Sequence, residues 1–125
     1  MLKTILLVGA GGFIGSVARY YVSKLNIISG VFSLPVGTLL VNVLGSFVLG
    51  VLVGLAGRSP ALTQEWRLFL MVGLCGGFTT FSTFSGENLA LMHSGQFMAI
   101  AVYTGLSVFL GFLAVFMGYS LSKLI

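Results

Sequence analysis

Between residues 25 and 57, and again between 88 and 122, the chain carries no Asp, Glu, Lys or Arg. A helix that crosses a bilayer needs about 20 mainly apolar residues, and each run is longer than that. A soluble domain carries roughly 25% charged residues; this chain carries 6%. Its charged side chains are Lys3, Arg19, Lys24, Arg58, Glu65, Arg67, Glu87 and Lys123. They cannot cover a surface in water. The chain therefore reads as an integral membrane protein, and its 125 residues as one domain, 1–125.

The apolar stretches divide into four predicted helical spans: 4–25, 33–56, 66–92 and 96–122. Turn chemistry (Gly, Pro, Asn and Ser) falls between them at 26–30, 57–60 and 93–95. The expected fold is an all-α membrane protein. Lys3, the apolar run after it and Ser16-Val17-Ala18 also resemble a secretory leader with a cleavage site. That is the lesser reading, because the rest of the chain is membrane-embedded either way. One cysteine, Cys75, excludes an internal disulfide. The net charge of +4 comes from scattered Lys and Arg near lipid headgroups. There is no basic run to follow phosphates, so no nucleic-acid partner is expected.

With four spans both termini lie on one side. Lys3, Arg58, Arg67 and Lys123 then fall on that side, Arg19 and Lys24 on the other. Lys/Arg bias normally fixes orientation, and this bias is weak unless Arg19 is buried. Two readings stay open: termini inside, or a mixed population. Mixed orientations could pair head-to-tail and give the inverted symmetry that many transporters obtain from internal repeats.

Several patterns mark the helix faces. Gly11-xxx-Gly15, Gly50-xxx-Gly54 and Gly73-xxx-Gly77 have the spacing that lets helix backbones approach closely. The glycines at 9–15 miss the dinucleotide spacing and lack a following acid, so packing is the better reading. Thr38, Asn42 and Ser46 stack on one face of the second span, with Gly45 beside them. Tyr103, Ser107 and Gly111 repeat the spacing on the fourth. These stripes are either hydrogen-bonding glue between helices or the walls of a polar pathway. Arg19, next to Tyr20 and Tyr21, either snorkels to the interface or stands at a vestibule that gathers anions. Glu87 either pairs with a base or marks the end of the hydrocarbon zone. His93 is expected in a loop.

The densest polar cluster lies at 73–87: Thr79, Thr80, Ser82, Thr83 and Ser85, threaded by Phe81 and Phe84. On a continuous helix these hydroxyls would point nearly all round the axis. The helix must be buried or must break, and Gly76-Gly77 makes a break near Gly76–Thr79 the expectation. Backbone groups freed in a membrane persist only where protein or a water-filled cavity satisfies them. Freed carbonyls are ready ligands for a desolvated cation. An aromatic ring offers a positive edge to an anion. Ring edges with neutral donors favour an anion path over a cation path.

Three stretches together resemble the Fluc (CrcB) family of fluoride channels: Gly76-Gly77-Phe78-Thr79-Thr80-Phe81-Ser82-Thr83-Phe84-Ser85, Gly37-Thr38-Leu39-Leu40-Val41-Asn42-Val43-Leu44-Gly45, and Gly12-Phe13-Ile14-Gly15-Ser16-Val17-Ala18-Arg19-Tyr20. The resemblance covers essentially the whole chain. It implies an antiparallel, dual-topology homodimer in a bacterial inner membrane, passively exporting cytoplasmic fluoride through two pores. It implies pore-lining roles for Asn42, Phe81 and Phe84, with Thr38, Thr80, Ser82, Tyr103 and Ser107 as polar contacts. Arg19 matches a vestibule arginine, and Glu87 would sit at the gate or helix end. The backbone carbonyls of Gly76 and Thr79 match those that hold a structural sodium ion between subunits. Gly111 stands where some members carry a further pore serine. No enzymatic activity is implied.

A small multidrug-resistance-type proton-coupled exporter is the alternative, since it shares four short spans. Such exporters need a buried carboxylate in their first helix, and residues 4–25 contain no Asp or Glu. A purely structural membrane subunit would leave the two polar stripes without a purpose.

Overall fold

The computed structural model describes residues 1–24 and 34–125. The expected turn at 26–30 and the adjoining span ends lie outside the described residues. Helix α1 is Leu2–Ser23 and α2 is Val36–Ala56. The third span begins with α3, Gln64–Arg67, whose N-cap Thr63 accepts from the Trp66 amide. It continues through a π-helical stretch, Leu68–Cys75, and one turn, α4, Gly76–Phe78. After an interruption it resumes as α5, Phe81–His93. Helix α6 is Phe97–Ser122. Among the described residues, four helical segments are long and apolar enough to cross a membrane, Gln64–His93 counted as one. The chain is a multi-pass membrane protein whose regular structure, among the described residues, is all helical.

The turns follow local chemistry. Past α2, the amides of Arg58 and Ser59 both bond to the Leu55 carbonyl. Gly95 joins α5 to α6 with φ of +74°, a conformation costly for any residue with a Cβ. His93 is the last residue of α5 rather than a loop residue.

Glycine decides which helices touch. Spans one and three run parallel, and their backbones meet at the predicted glycines. A Cβ on Gly73 would lie 2.8 Å from the Val8 carbonyl oxygen, and one on Gly77 would lie 2.7 Å from that of Gly12. Added methyls on Gly11 and Gly15 would run into the carbonyls of Phe69 and Leu74. Spans two and four pair likewise: Gly50 faces the backbone of Val115, Gly54 faces Ser122, and Gly118 faces Phe47. All three small-xxx-small pairs therefore pack helices, as their spacing predicts.

The charged ends agree with this pairing. Lys3 Nζ meets Glu65 Oε1 at 2.7 Å, joining the starts of spans one and three. Arg58 donates to the Ser122 carbonyl, joining the ends of spans two and four. Lys24 lies over the rings of Tyr20 and Tyr21, 4.9 and 5.1 Å from their centroids, an arrangement suited to a bilayer interface. Outward faces are apolar; Phe109, Phe112 and Phe116 form an exposed stripe along α6. In water that surface would drive aggregation, and in lipid it is the surface required.

Candidate functional site

The interruption in the third span occupies two residues. Thr79 (φ −87°, ψ 158°) and Thr80 (φ −153°, ψ 125°) are extended, while Gly76 and Gly77 remain helical. The break thus falls at the edge of the expected stretch, and its cause differs from the expected one. Glycine's dihedral freedom is not used. Gly77 allows α1 to approach, and the extended residues are two threonines, whose β-branched side chains suit extended backbone.

Side chains satisfy the freed backbone. Asn42 grips Thr80 twice: its Nδ2 donates to the Thr80 carbonyl at 3.1 Å, and its Oδ1 accepts from the Thr80 amide at 2.9 Å. A carboxamide here replaces the strand partner that an extended residue would otherwise seek. The Thr80 hydroxyl accepts from the Thr83 amide at 3.1 Å and so caps α5. Thr79 turns its hydroxyl back to the Cys75 carbonyl at 2.9 Å. Arg19 Nε donates to the Gly77 carbonyl at 3.0 Å. Arg19 is half-buried against the break, so a side chain that simply snorkels away is not what is observed. Among the described residues no protein donor meets the carbonyl oxygens of Gly76 or Thr79.

Below the break lies a groove of about 410 Å³. Asn42 and Ser46 line it from α2, Thr80, Phe81 and Phe84 from the third span, and Ser107 and Gly111 from α6. Asn42 and Ser46 of one predicted stripe and Ser107 and Gly111 of the other therefore face one space, while Thr38 and Tyr103 are buried beside it. No charged side chain lines it among the described residues. The Ser107 hydroxyl is buried with no hydrogen-bond partner among the described residues. A buried hydroxyl without a partner is costly, so Ser107 is a natural donor to whatever enters. The Phe81 and Phe84 centroids are 5.8 Å apart. Phe81 is 78% exposed, which leaves its ring nearly bare on this chain.

Beside the groove, Glu87 joins the upper ends of both stripes. Thr38 Oγ1 donates to Glu87 Oε2 at 2.8 Å and Tyr103 Oη donates to Oε1 at 2.9 Å. Glu87 lies within the body of α5, and its described partners include these two hydroxyls from other spans. Tyr103 is fully buried, its ring 4.9 Å from that of Phe84. Ser82 stays exposed, 3.5 Å from the Thr80 hydroxyl. The structure thus gathers Thr38, Asn42, Thr80, Phe81, Phe84, Glu87, Tyr103 and Ser107 around one region, with Arg19 behind the break.

Sequence reasoning missed two contacts. The Asn88 amide donates to Thr104 Oγ1 at 3.3 Å, tying α5 to α6; two polar residues in adjacent apolar segments were the available signal. The bond from Arg19 to Gly77 spans two helices and left no local pattern to read.

Residues 6–119 match the family described as CrcB-like protein, Camphor Resistance (CrcB). A curated relative from Azobacteroides pseudotrichonymphae genomovar. CFP2, named fluoride-specific ion channel FluC, is 43% identical over 123 residues, covering 98% of each chain. One of the same name from Pyrococcus abyssi is 42% identical over 122 residues, again covering 98% of each. Another, from Campylobacter jejuni strain RM1221, is 44% identical over 125 residues, covering 98% of this chain and all of the relative.

Proposed function

The chain belongs to the CrcB family, and from that premise we propose that it is a fluoride-selective channel through which cytoplasmic fluoride leaves passively. The observation that carries the reading is identity above 40%, over nearly the full length, to proteins named as fluoride-specific channels. The groove supports it chemically. Its polar groups are neutral and several can donate hydrogen bonds, and two phenyl rings stand beside them. A small anion that sheds water needs donors and positive ring edges. A carboxylate lining would repel it, and the groove has none among the described residues. Asn42, Phe81, Phe84, Thr80, Ser82 and Ser107 would line the pathway. Thr38 and Tyr103, whose hydroxyls hold Glu87 beside the groove, would bound the pathway there, and the positive charge of Arg19 behind the break would favour an anion over a cation.

The working unit would be an antiparallel homodimer in a bacterial inner membrane. Exposed glycines support a partner. A methyl added at Gly86 or Gly105 would meet nothing within 4 Å, and at Gly76 only the Met71 carbonyl at 4.0 Å. Glycine inside a helix costs about 1 kcal/mol relative to alanine, and this chain's own packing gives no return for it at these positions. A second backbone could approach there. Gly76 and Thr79 fit the proposed sodium site as far as one chain can: their carbonyls have no protein donor among the described residues, and Gly76 is exposed. Two copies would supply four hard oxygen ligands to a cation that ties the breaks together.

Purified protein in liposomes should release fluoride rapidly and retain chloride, read with ion-selective electrodes. Equal efflux of both ions would end the fluoride reading. Phe81→Ala, which removes an exposed ring, should slow fluoride efflux by about tenfold, the scale of an aromatic contact, with the thermal midpoint unchanged.

A further inference from the structure

The Arg19 contact is a poor fit to a charge that merely attracts ions. Gly77 lies on the order of 18 Å along the third span from Glu65 at the helical rise per residue, well inside a hydrocarbon core about 30 Å thick. Guanidinium groups at such depth are costly and pair with specific partners. Arg19 donates its Nε, the least mobile of its donors, to a carbonyl in the last turn before the break. Helix ends leave their final carbonyls without intrahelical partners, and a cation there also complements the helix dipole. Two residues beyond the end of α4, Asn42 holds Thr80, the N-cap residue from which α5 starts. One side of the interruption is therefore fixed from α1 and the other from α2.

We propose that Arg19 is a positioning residue. With Asn42 it forms a two-point latch across the break, setting where α5 starts and hence where Phe81 and Phe84 stand against α2 and α6. The latch rests on the channel reading for its consequence, but its physical existence does not. α5 needs such fixing, because two extended residues are its only covalent link to α4. Without the Arg19 bond, the Gly77 carbonyl would lose its donor inside the membrane and the break would shift to find another. Phe81 and Phe84 would move with it.

Hydrogen exchange on the full-length protein in detergent tests the latch directly. Arg19→Gln should raise exchange across residues 79–84 by about tenfold, the scale of a hydrogen bond to a charged group, leaving α6 unchanged. Unchanged protection at 79–84 would overturn the latch. Liposome efflux adds a readout that is independent of how much protein folds: the fluoride-to-chloride ratio should fall in Arg19→Gln. That fall should persist at about 1 M salt, where the screening length is about 3 Å. A deficit that disappears at high salt would make Arg19 a steering charge and sink the proposal. Should Arg19→Gln fail to fold, Arg19→Lys, which keeps the cation but lacks Nε, carries the same two measurements with the same criteria. A wild-type protein that releases no fluoride would end the channel reading, while the exchange result would still decide the latch.

Discussion

The two halves of the third span are held by different physics. Its first half, up to Phe78, lies against α1 with almost no side chain between the backbones: Gly11, Gly15, Gly73 and Gly77 all lack room for a Cβ. Its second half, from Phe81, is positioned by polar side chains: Asn42 on Thr80, Thr38 and Tyr103 on Glu87, and Asn88 on Thr104. Close backbone packing tolerates almost no change in volume but ignores polarity. Hydrogen bonding tolerates volume but fails when one donor is lost. In lipid there is little hydrophobic force between helices, so each half needs one of these devices. The half that carries Phe81 and Phe84 uses the directional one.

The largest effect should come from the packed half. On Gly15 a Cβ would press on the Leu74 carbonyl and lie 2.8 Å from the Phe78 amide nitrogen, both of them backbone atoms that cannot rotate away. Gly15→Ala should lower stability by about 1–3 kcal/mol, the range for overpacking, and reduce the yield of folded protein in detergent. Gly9→Ala, on the same helix with nothing within 4 Å, should leave the thermal midpoint in place or raise it. Equal losses in both variants would mean that glycine content, not close approach, governs this half.

The packed half was also the legible half. Small residues at intervals of four project to one helix face whatever surrounds them, so Gly11, Gly15, Gly73 and Gly77 could be assigned from spacing. The stripes of Thr38, Asn42 and Ser46 and of Tyr103, Ser107 and Gly111 were legible for the same reason. That Asn42 and Ser46 share one groove with Ser107 and Gly111, however, depended on how spans two and four pair. The break could be anticipated, because five hydroxyls could not all avoid lipid on one helix, but its cause could not. Two glycines in sequence suggested dihedral freedom, whereas the chain uses Gly77 for contact and extends at Thr79 and Thr80. The contacts of Thr38 and Tyr103 with Glu87 could not be read from the sequence, because those two residues come from other spans. Hydrogen bonds across helices leave no periodic trace.

Within the hydrogen-bonded half, Tyr103→Phe separates ring from hydroxyl. It keeps the contact with Phe84 and removes one donor to Glu87. The expected cost is about 1.5–3 kcal/mol, typical of a hydrogen bond to a charged group, because the carboxyl must stay where it is with one partner fewer. Fluoride efflux should fall while the protein remains folded. An unchanged thermal midpoint together with unchanged efflux would show that Glu87 is held well enough without Tyr103, and that the directional account of α5 is overstated.

The smallest effect is expected at Gly111, where the groove wall lacks a side chain. A Cβ there would find Ser46 Oγ as its nearest neighbour at 3.8 Å, an ordinary contact that needs no displacement. Gly111→Ser therefore adds a hydroxyl to a space already lined by Ser46 and Ser107. In a helix that hydroxyl can bond back to the carbonyl one turn earlier, which here belongs to Ser107. Replacing a helical glycine by serine should stabilise α6 by about 0.5 kcal/mol, a small rise in thermal midpoint. Efflux should change by no more than about twofold, since one neutral donor joins several at modest net energy. A tenfold loss of fluoride efflux with the fold intact would show that the groove is too narrow at Gly111 for a hydroxyl. In that case Gly111 is required by the volume of the pathway, and the tolerance expected of the hydrogen-bonded half does not extend to α6.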